Sequence, residues 1–273
     1  MNSIWNAENL IDTHCHVLKG QGFEDINAEF EKIKASKVKK VILIGCSIEE
    51  AKETVKIARK YPGFVYPSIG LHPEEVFDKD FSLEKQMTEL EGIIKDNLDI
   101  LVAFGEFGFE YFYLDKVLEQ NADKTREYYI EMQKELFEKQ VQLSFKYNLP
   151  LIIHCRNGFE SLFEILDKYD LPVKQWKDLP IESAGIMHSF TDNYENAKKS
   201  VKRNFKIGVN GIATFKKSFE LRDVLKKIVK EFGKEMLVLE TDSPYLSPEP
   251  LRGKTNSPVN IEIIDEFVRK EIL

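Results

Sequence analysis

Short apolar runs rich in valine, isoleucine, leucine and phenylalanine alternate along this chain with longer charged segments, whose apolar residues recur every three or four positions. The short runs lie at residues 10–16, 41–45, 64–71, 100–106, 151–154, 185–188, 205–209 and 236–241, and each has the length and composition of a buried strand. Segments such as 27–36, 49–61 and 221–232 place lysine and glutamate on the faces that their apolar stripes leave free, which is the helical pattern. The longest, 125–147, puts Tyr129, Met132, Leu136, Phe137, Gln140, Val141 and Leu143 on or near one face, as core packing requires. Ser257-Pro258 reads as an N-cap with proline at the first helical position, opening a last helix toward Ile272. Strands and helices in strict alternation predict a parallel sheet with crossover helices. Eight such pairs closing on themselves make an α/β fold of the (β/α)8 TIM barrel type, with an open doubly wound sheet as the alternative.

Length is compatible with that reading. The chain has 273 residues, and barrels commonly run to about 250 residues as one unit. No Gly/Ser linker, low-complexity tract or abrupt change of composition interrupts it, so one barrel domain over 1–273 is expected. The balance of 39 Lys+Arg against 46 Asp+Glu gives −7, which argues against coating duplex DNA through bulk positive charge. Cys15, Cys46 and Cys155 form an odd set inside apolar runs rather than a disulfide spacing, which points to a reducing compartment. The first eight residues lack a charged start and an apolar stretch, and no run approaches the roughly 20 apolar residues of a membrane span. A cytoplasmic protein with no membrane association and no obligate protein partner is expected.

The chemistry is concentrated where the strands end. All five histidines fall there: His14 and His16, His72, His154 and His188, joined by the carboxylates Glu106 and Asp242. A barrel gathers its catalytic groups at the carboxyl ends of its strands, so residues far apart in sequence would meet. His14 and His16 sit two apart on one strand and face the same way, while Cys15 between them faces the other and packs. Four imidazoles (His14, His16, His154, His188) and two carboxylates exceed what one tetrahedral ion uses, and suit two ions about 3.5–4 Å apart with a carboxylate bridging them. Mixed nitrogen and oxygen donors favour Zn, Mn, Fe or Co over an all-oxygen Mg site. His72, before Pro73, could bind phosphate, support a ligand or cap its turn; Arg156 shares the face of His154 and could clamp an anion or make a surface ion pair. Tyr111, Phe112, Tyr113 and Phe190 could stack an unpaired base or pack a lid, and Lys216 and Lys217 could touch phosphate or simply face solvent.

Six motifs in order, Asp12-Thr-His-Cys-His16, Gly70-Leu-His-Pro73, Gly105-Glu-Phe-Gly108, His154-Cys-Arg156, Met187-His-Ser-Phe190 and Glu240-Thr-Asp-Ser-Pro-Tyr-Leu246 with Arg252-Gly-Lys254, resemble the TatD-like metal-dependent deoxyribonucleases within the amidohydrolase-type barrels. The resemblance implies that His14, His16, Glu106 and Asp242 hold one divalent ion and that Glu106, His154 and His188 hold the second. Glu106 would then be the bridge, the ions would be Mg, Mn or Zn, and His72 and Arg156 would lie in the substrate pocket. Glu106 and Asp242 would be the catalytic carboxylates, with Asp242 orienting the attacking hydroxide. The implied activity is phosphodiester hydrolysis by a metal-activated hydroxide, as in a 3'-5' exonuclease on single-stranded DNA or RNA. Deacylation of D-aminoacyl-tRNA or hydrolysis of a small cyclic amide would use the same metals, and a non-catalytic metal-stabilised binding protein is the reading from another class. The chain departs from the family pattern at Phe107, Phe109, Glu110 and Ser189, and its stretch 112–124 is longer than typical.

Overall fold

The computed structural model describes residues 5–120 and 124–273. Residues 1–4, part of the uncharged start, and residues 121–123, inside the long 112–124 stretch, lie outside them. The barrel strands are β1 (Leu10–Cys15), β2 (Val38–Gly45), β3 (Val65–Ile69), β4 (Ala103–Glu110), β5 (Leu151–Arg156), β8 (Gly185–Met187), β9 (Phe205–Val209) and β10 (Leu237–Leu239), hydrogen-bonded in that order. Neighbours pair in parallel throughout. Two further strands, β6 (Lys174–Gln175) and β7 (Glu182–Ser183), form an antiparallel hairpin of their own. The sequence pattern contains the eight barrel strands and misses the hairpin.

The helices are α1 (Ile26–Lys34), α2 (Ile48–Lys60), α3 (Leu83–Asn97), α4 (Leu114–Gln120), α5 (Arg126–Lys146), α6 (Phe159–Leu166), α7 (Tyr194–Lys202), α8 (Phe219–Phe232) and α9 (Ile261–Glu271). Their starts are fixed by side-chain caps: Asp25, Ser47, Thr125 and Asn193 each accept from an otherwise unpaired N–H of the first turn. Helix α4 lies in the long connection between β4 and α5. Ser257 caps a short 3-10 turn, Pro258–Asn260, that leads into α9. Among the described residues no helix is long and apolar enough to cross a membrane.

Strand geometry sends alternate side chains to opposite faces. Val41, Leu43, Leu151, Ile153, Met187, Leu237 and Leu239 join the core between sheet and helices, whereas Ile42, Ile44, Ile152, Ile186 and Val238 fill the barrel lumen. The hairpin closes the lumen at the amino ends of the strands: Trp176, Leu179 and Ile181 pack into that inner cluster, and Trp176 Nε1 donates to Ser183 Oγ at 3.1 Å. Lys40 and Lys177 tie the hairpin down through Nζ to the carbonyls of Asp178 and Asp99.

Closure comes from residues just beyond the strands. The pairing of β1 with the segment after β10 runs through His16 N–H to Ser243 O (2.7 Å) and Asp242 N–H to His14 O (2.9 Å). Asp12 strengthens the same seam by accepting from Thr241 N–H (2.9 Å) and from the Thr241 hydroxyl (2.5 Å). Burial drives the Asp12 carboxyl up to about 7, a desolvation that its hydrogen bonds to Thr241 and His14 only partly offset.

Candidate metal centre and cleft

The parity that fills the lumen also aims the polar residues. On β5 the inward position after Ile152 is His154; past β8 the one after Ile186 is His188; past β10 the one after Val238 is Glu240. One inward step therefore separates the apolar plug from the polar cluster. Glu106 enters from β4, within the strand rather than at its end as the pattern suggested, because β4 begins at Ala103 and continues to Glu110. The pairing of β4 with β5 shifts register between Phe104 and Phe107, which turns Glu106 inward. Gly105 and Gly108, at φ 141° and 155°, make this possible: a Cβ at either would lie 2.3 Å from Ile152 O or 1.7 Å from His154 O.

Glu106, only 3% exposed, stands at the middle of the cluster with its two oxygens divided. Oε2 lies 3.0 Å from His14 Nε2 and 3.8 Å from His16 Nε2. Oε1 lies 2.9 Å from His154 Nδ1, 3.7 Å from His188 Nε2 and 3.8 Å from His72 Nε2. Asp242 completes the first group, with Oδ1 3.4 Å from His16 Nε2 and 3.8 Å from His14 Nε2, and it is also 3.6 Å from His188 Nε2. His14 and His16 bring their Nε2 atoms to 3.1 Å of each other, and His14 stacks on His188 at 3.4 Å between ring centroids. Asp242 holds φ at 57°, a left-handed conformation that costs an aspartate of order 1–3 kcal/mol and so marks a position fixed by its surroundings.

Two further buried carboxylates hold the imidazoles. Glu240, fully buried, lies 3.0 Å from His188 Nδ1 and accepts from Ser189 N–H at 2.6 Å. Glu110 lies 3.2 Å from His154 Nε2 while accepting from the N–H groups of Phe112 and Tyr113. Sequence reasoning placed Glu240 inside a motif without giving it a part; its signal is the inward parity of β10.

The charges follow from these contacts. Burial works against ionised carboxylates, yet His188 and His14 hold Glu106 well below its usual range, and Asp242 is likewise depressed by His188, His16 and His14. Burial draws His188 down, but Glu240, Glu106 and Asp242 outweigh it and push the imidazole up to about 10. His154 reaches about 9 in the same way, between Glu106 and Glu110. His14 goes down through burial and its stacked neighbour His188. Such a buried anionic pair requires positive charge beside it, which protons or divalent cations can supply. Donor-to-donor distances of 3.0–3.8 Å match the edges of a coordination shell with bonds of about 2.1 Å, roughly 3.0–3.4 Å, with little adjustment.

His72 differs from the other four. Its Nδ1 accepts from Glu74 N–H at 3.3 Å as the cap of the 3-10 turn Pro73–Phe77, and burial and His154 carry its pKa down to about 3. A neutral ring with Nδ1 accepting keeps its proton on Nε2, toward the cleft.

The cleft above the cluster has a volume of about 730 Å³. Arg156 is the single Lys or Arg in its lining, against Glu50, Glu74, Glu75, Glu106 and Asp242. Its guanidinium donates to Tyr113 Oη at 3.1 Å and lies 3.9 Å from the Phe112 ring centroid. Phe112 and Tyr113 are exposed, so they can meet a ligand. Phe190 is buried against Phe159, and Tyr111 is half-buried with its hydroxyl on Ser161. Tyr245, 51% exposed on the cleft wall, was not anticipated. Lys216 and Lys217 are exposed and take no part in the lining.

Comparison with known proteins identifies the family and the fold. The family described as TatD related DNase matches residues 11–271. The "uncharacterized metal-dependent hydrolase YabD" of Bacillus subtilis is 32% identical over 263 residues, covering 95% of this chain and 89% of the relative. "Uncharacterized metal-dependent hydrolase YcfH" of Escherichia coli is 27% identical, covering 95% of this chain and 86% of the relative. Among solved structures, the TatD homologue YJJV of E. coli K12 superposes with a TM-score of 0.76 at 26% identity, covering 93% of this chain and 86% of that one. A TatD family hydrolase of Entamoeba histolytica shares the fold, with a TM-score of 0.70 at 24% identity over 96% of this chain and 92% of that one. The chain belongs to the TatD related DNase family of metal-dependent hydrolases.

Proposed function

We propose that the protein is a two-metal phosphodiesterase that shortens single-stranded or frayed DNA or RNA from an end, with the 3'-5' polarity that the family resemblance implies. The observation that carries this reading is the division of the Glu106 oxygens between two sets of donors beside one guanidinium. His14, His16, Asp242 and Glu106 Oε2 would hold one divalent ion, and Glu106 Oε1, His154 and His188 the other. Such ions, when bound, supply the charge that makes water nucleophilic near neutral pH and neutralises a nonbridging phosphate oxygen. Asp242 orients the attacking water and accepts its proton, and Glu240 keeps the His188 ring in place. Arg156, steadied by Tyr113, binds the phosphate through paired N–H groups, and His72 offers Nε2–H to a second oxygen. Phe112 and Tyr245 provide exposed faces for unpaired bases. Without metal the lining opposes its five carboxylates with Arg156 and the protonated His154 and His188, and divalent cations at the cluster strengthen the hold on a polyanion.

The test is degradation of end-labelled single-stranded DNA and RNA by metal-stripped protein resupplied with Mg, Mn or Zn, with Glu106→Ala as control. Stepwise shortening from one end that disappears in the variant is the expected result. Intact substrate with every metal, from folded and metal-loaded protein, overturns the nuclease reading and turns the search to D-aminoacyl-tRNA esters and small cyclic amides.

A further inference from the structure

Cys46 follows β2 directly, at the rim of the cleft, and the six-ligand reading gives it no part. Its backbone is held on both sides: its N–H donates to Glu50 Oε2 at 2.9 Å, and its carbonyl accepts from His72 N–H at 2.8 Å. Its sulfur lies 3.7 Å from Glu106 Oε2, and His16 Nε2 lies 3.8 Å from that same oxygen. All three ligand atoms fall within 4.8 Å of one another, and among the described residues this is the only cysteine to join such a group. Cys15, by contrast, is fully buried with its thiol on Ile42 O.

The spacing has a chemical meaning. Zinc–sulfur and zinc–oxygen bonds of about 2.3 and 2.1 Å at the angles of about 90–120° of a five-ligand shell set sulfur and oxygen roughly 3.1–3.8 Å apart. The thiol donates a long hydrogen bond to Glu106 Oε2 at 3.7 Å, which is also a ligand-to-ligand distance, so an ion can replace the proton between sulfur and oxygen with little movement.

We propose that Cys46 is a sulfur donor to the half of the centre held by His16 and Glu106 Oε2, and that it biases this half toward thiophilic ions such as Zn(II) and Co(II) over Mg(II). The proposal rests on the reading that His16 and Glu106 hold an ion. On ligation the S–H bond breaks, the sulfur pair goes to the metal, and one proton is released to solvent. The backbone pins at Glu50 and His72 keep the sulfur aimed without demanding a mobile loop. Softness of the donor then separates metals that the nitrogen and oxygen ligands alone distinguish poorly.

The experiment is spectroscopic and does not depend on turnover. Metal-stripped protein titrated with Co(II) gives visible d–d bands if the imidazole–carboxylate centre binds the ion, and a near-ultraviolet sulfur-to-cobalt charge-transfer band if a thiolate joins it. The expected result is both in the wild type, d–d bands alone in Cys46→Ser, and both in Cys155→Ser. The same Cys46→Ser substitution should weaken Zn(II) binding by at least the roughly 10-fold that even an indirect partner of a ligand is worth, and leave Mg(II) binding within about twofold. Wild-type d–d bands without the charge-transfer band overturn the role of Cys46 and leave the centre intact. Absence of d–d bands overturns the centre, and this proposal with it. A second measurement needs no variant: alkylation of Cys46 by iodoacetamide, located by mass, should be blocked by Zn(II), and unchanged labelling of the zinc-loaded protein overturns the proposal.

Discussion

At the amino ends of the strands the lumen is closed by Ile42, Ile152, Ile186, Val238 and the hairpin residues Trp176, Leu179 and Ile181; one inward position further along, the same strands and their extensions carry His154, His188 and Glu240. The two ends share strands, twist and packing density, and differ in what the next inward residue is. The apolar end needs nothing but volume filled, and area buried there adds to stability. The polar end sets ionised carboxylates out of water, where the imidazoles around them, or bound cations, must supply the opposite charge. Stability and chemistry are thus separated by about two residues of strand, roughly 7 Å. Substitutions at each end should fail in different ways.

The largest expected effect breaks the plug. Trp176→Ala should lower the free energy of unfolding by about 3–5 kcal/mol, read as the denaturant midpoint, while metal affinity per folded molecule stays the same. Loss of metal binding without loss of stability would reverse the assignment of the two ends. At the other end, Glu106→Gln should reduce kcat on the order of 10³-fold and lower the melting temperature of the metal-free protein by less than Trp176→Ala does, because His154 and His188 lose a partner carboxylate but can shed their protons. A melting temperature lowered as far as in Trp176→Ala would make Glu106 a structural residue. Metal itself sharpens the contrast: at a hundredfold excess over Kd, Zn(II) should add about 2.7 kcal/mol to wild-type stability and measurably less to the Glu106 variant, as calorimetry would show. The smallest effect lies away from both ends. Lys146, Tyr147 and Lys95 hold the Glu91 carboxylate down to about 2. Because its folded value is depressed, its contribution is complete above pH 4.5 and is lost as pH falls toward 2, so Glu91→Gln should cost under about 1 kcal/mol at neutral pH and nothing near pH 2. A difference that persists at the acid limit would mean that packing, not charge, is what Glu91 supplies.

The eight barrel strands were legible because burial on both faces leaves an uninterrupted apolar run, and the histidines were legible because few other uses put all five of them at or just past strand ends. The hairpin was not, since its paired strands are two residues each and its apolar members, Trp176, Leu179 and Ile181, follow neither helical nor strand spacing. Glu106 was singled out but placed at a strand end, because a register shift and two glycines are needed to see that β4 continues past it. Glu240 and Cys46 were overlooked for a common reason: each is an ordinary residue in a run of ordinary residues, and only the inward parity of β10 or the backbone pins around Cys46 give it a direction. Resemblance supplied the division of ligands between two ions; what the geometry adds is that the two oxygens of Glu106 face different imidazoles, His14 for Oε2 and His154 for Oε1.

The seam between β1 and the segment after β10 also determines when the site can exist. Asp12 meets Thr241 across 229 residues, and His14 and His16 share their backbone bonds with Asp242 and Ser243. In synthesis His14 and His16 are made long before Asp242, so these histidines have no carboxylate from the far side of the ring until the segment after β10 has followed. Ions met early in synthesis find a His-x-His pair with low affinity and no cage. A cage of both histidines and Asp242 thus exists only once β1 and the segment after β10 are stitched together, and a metal held there would be a seal on a closed barrel rather than a seed for it.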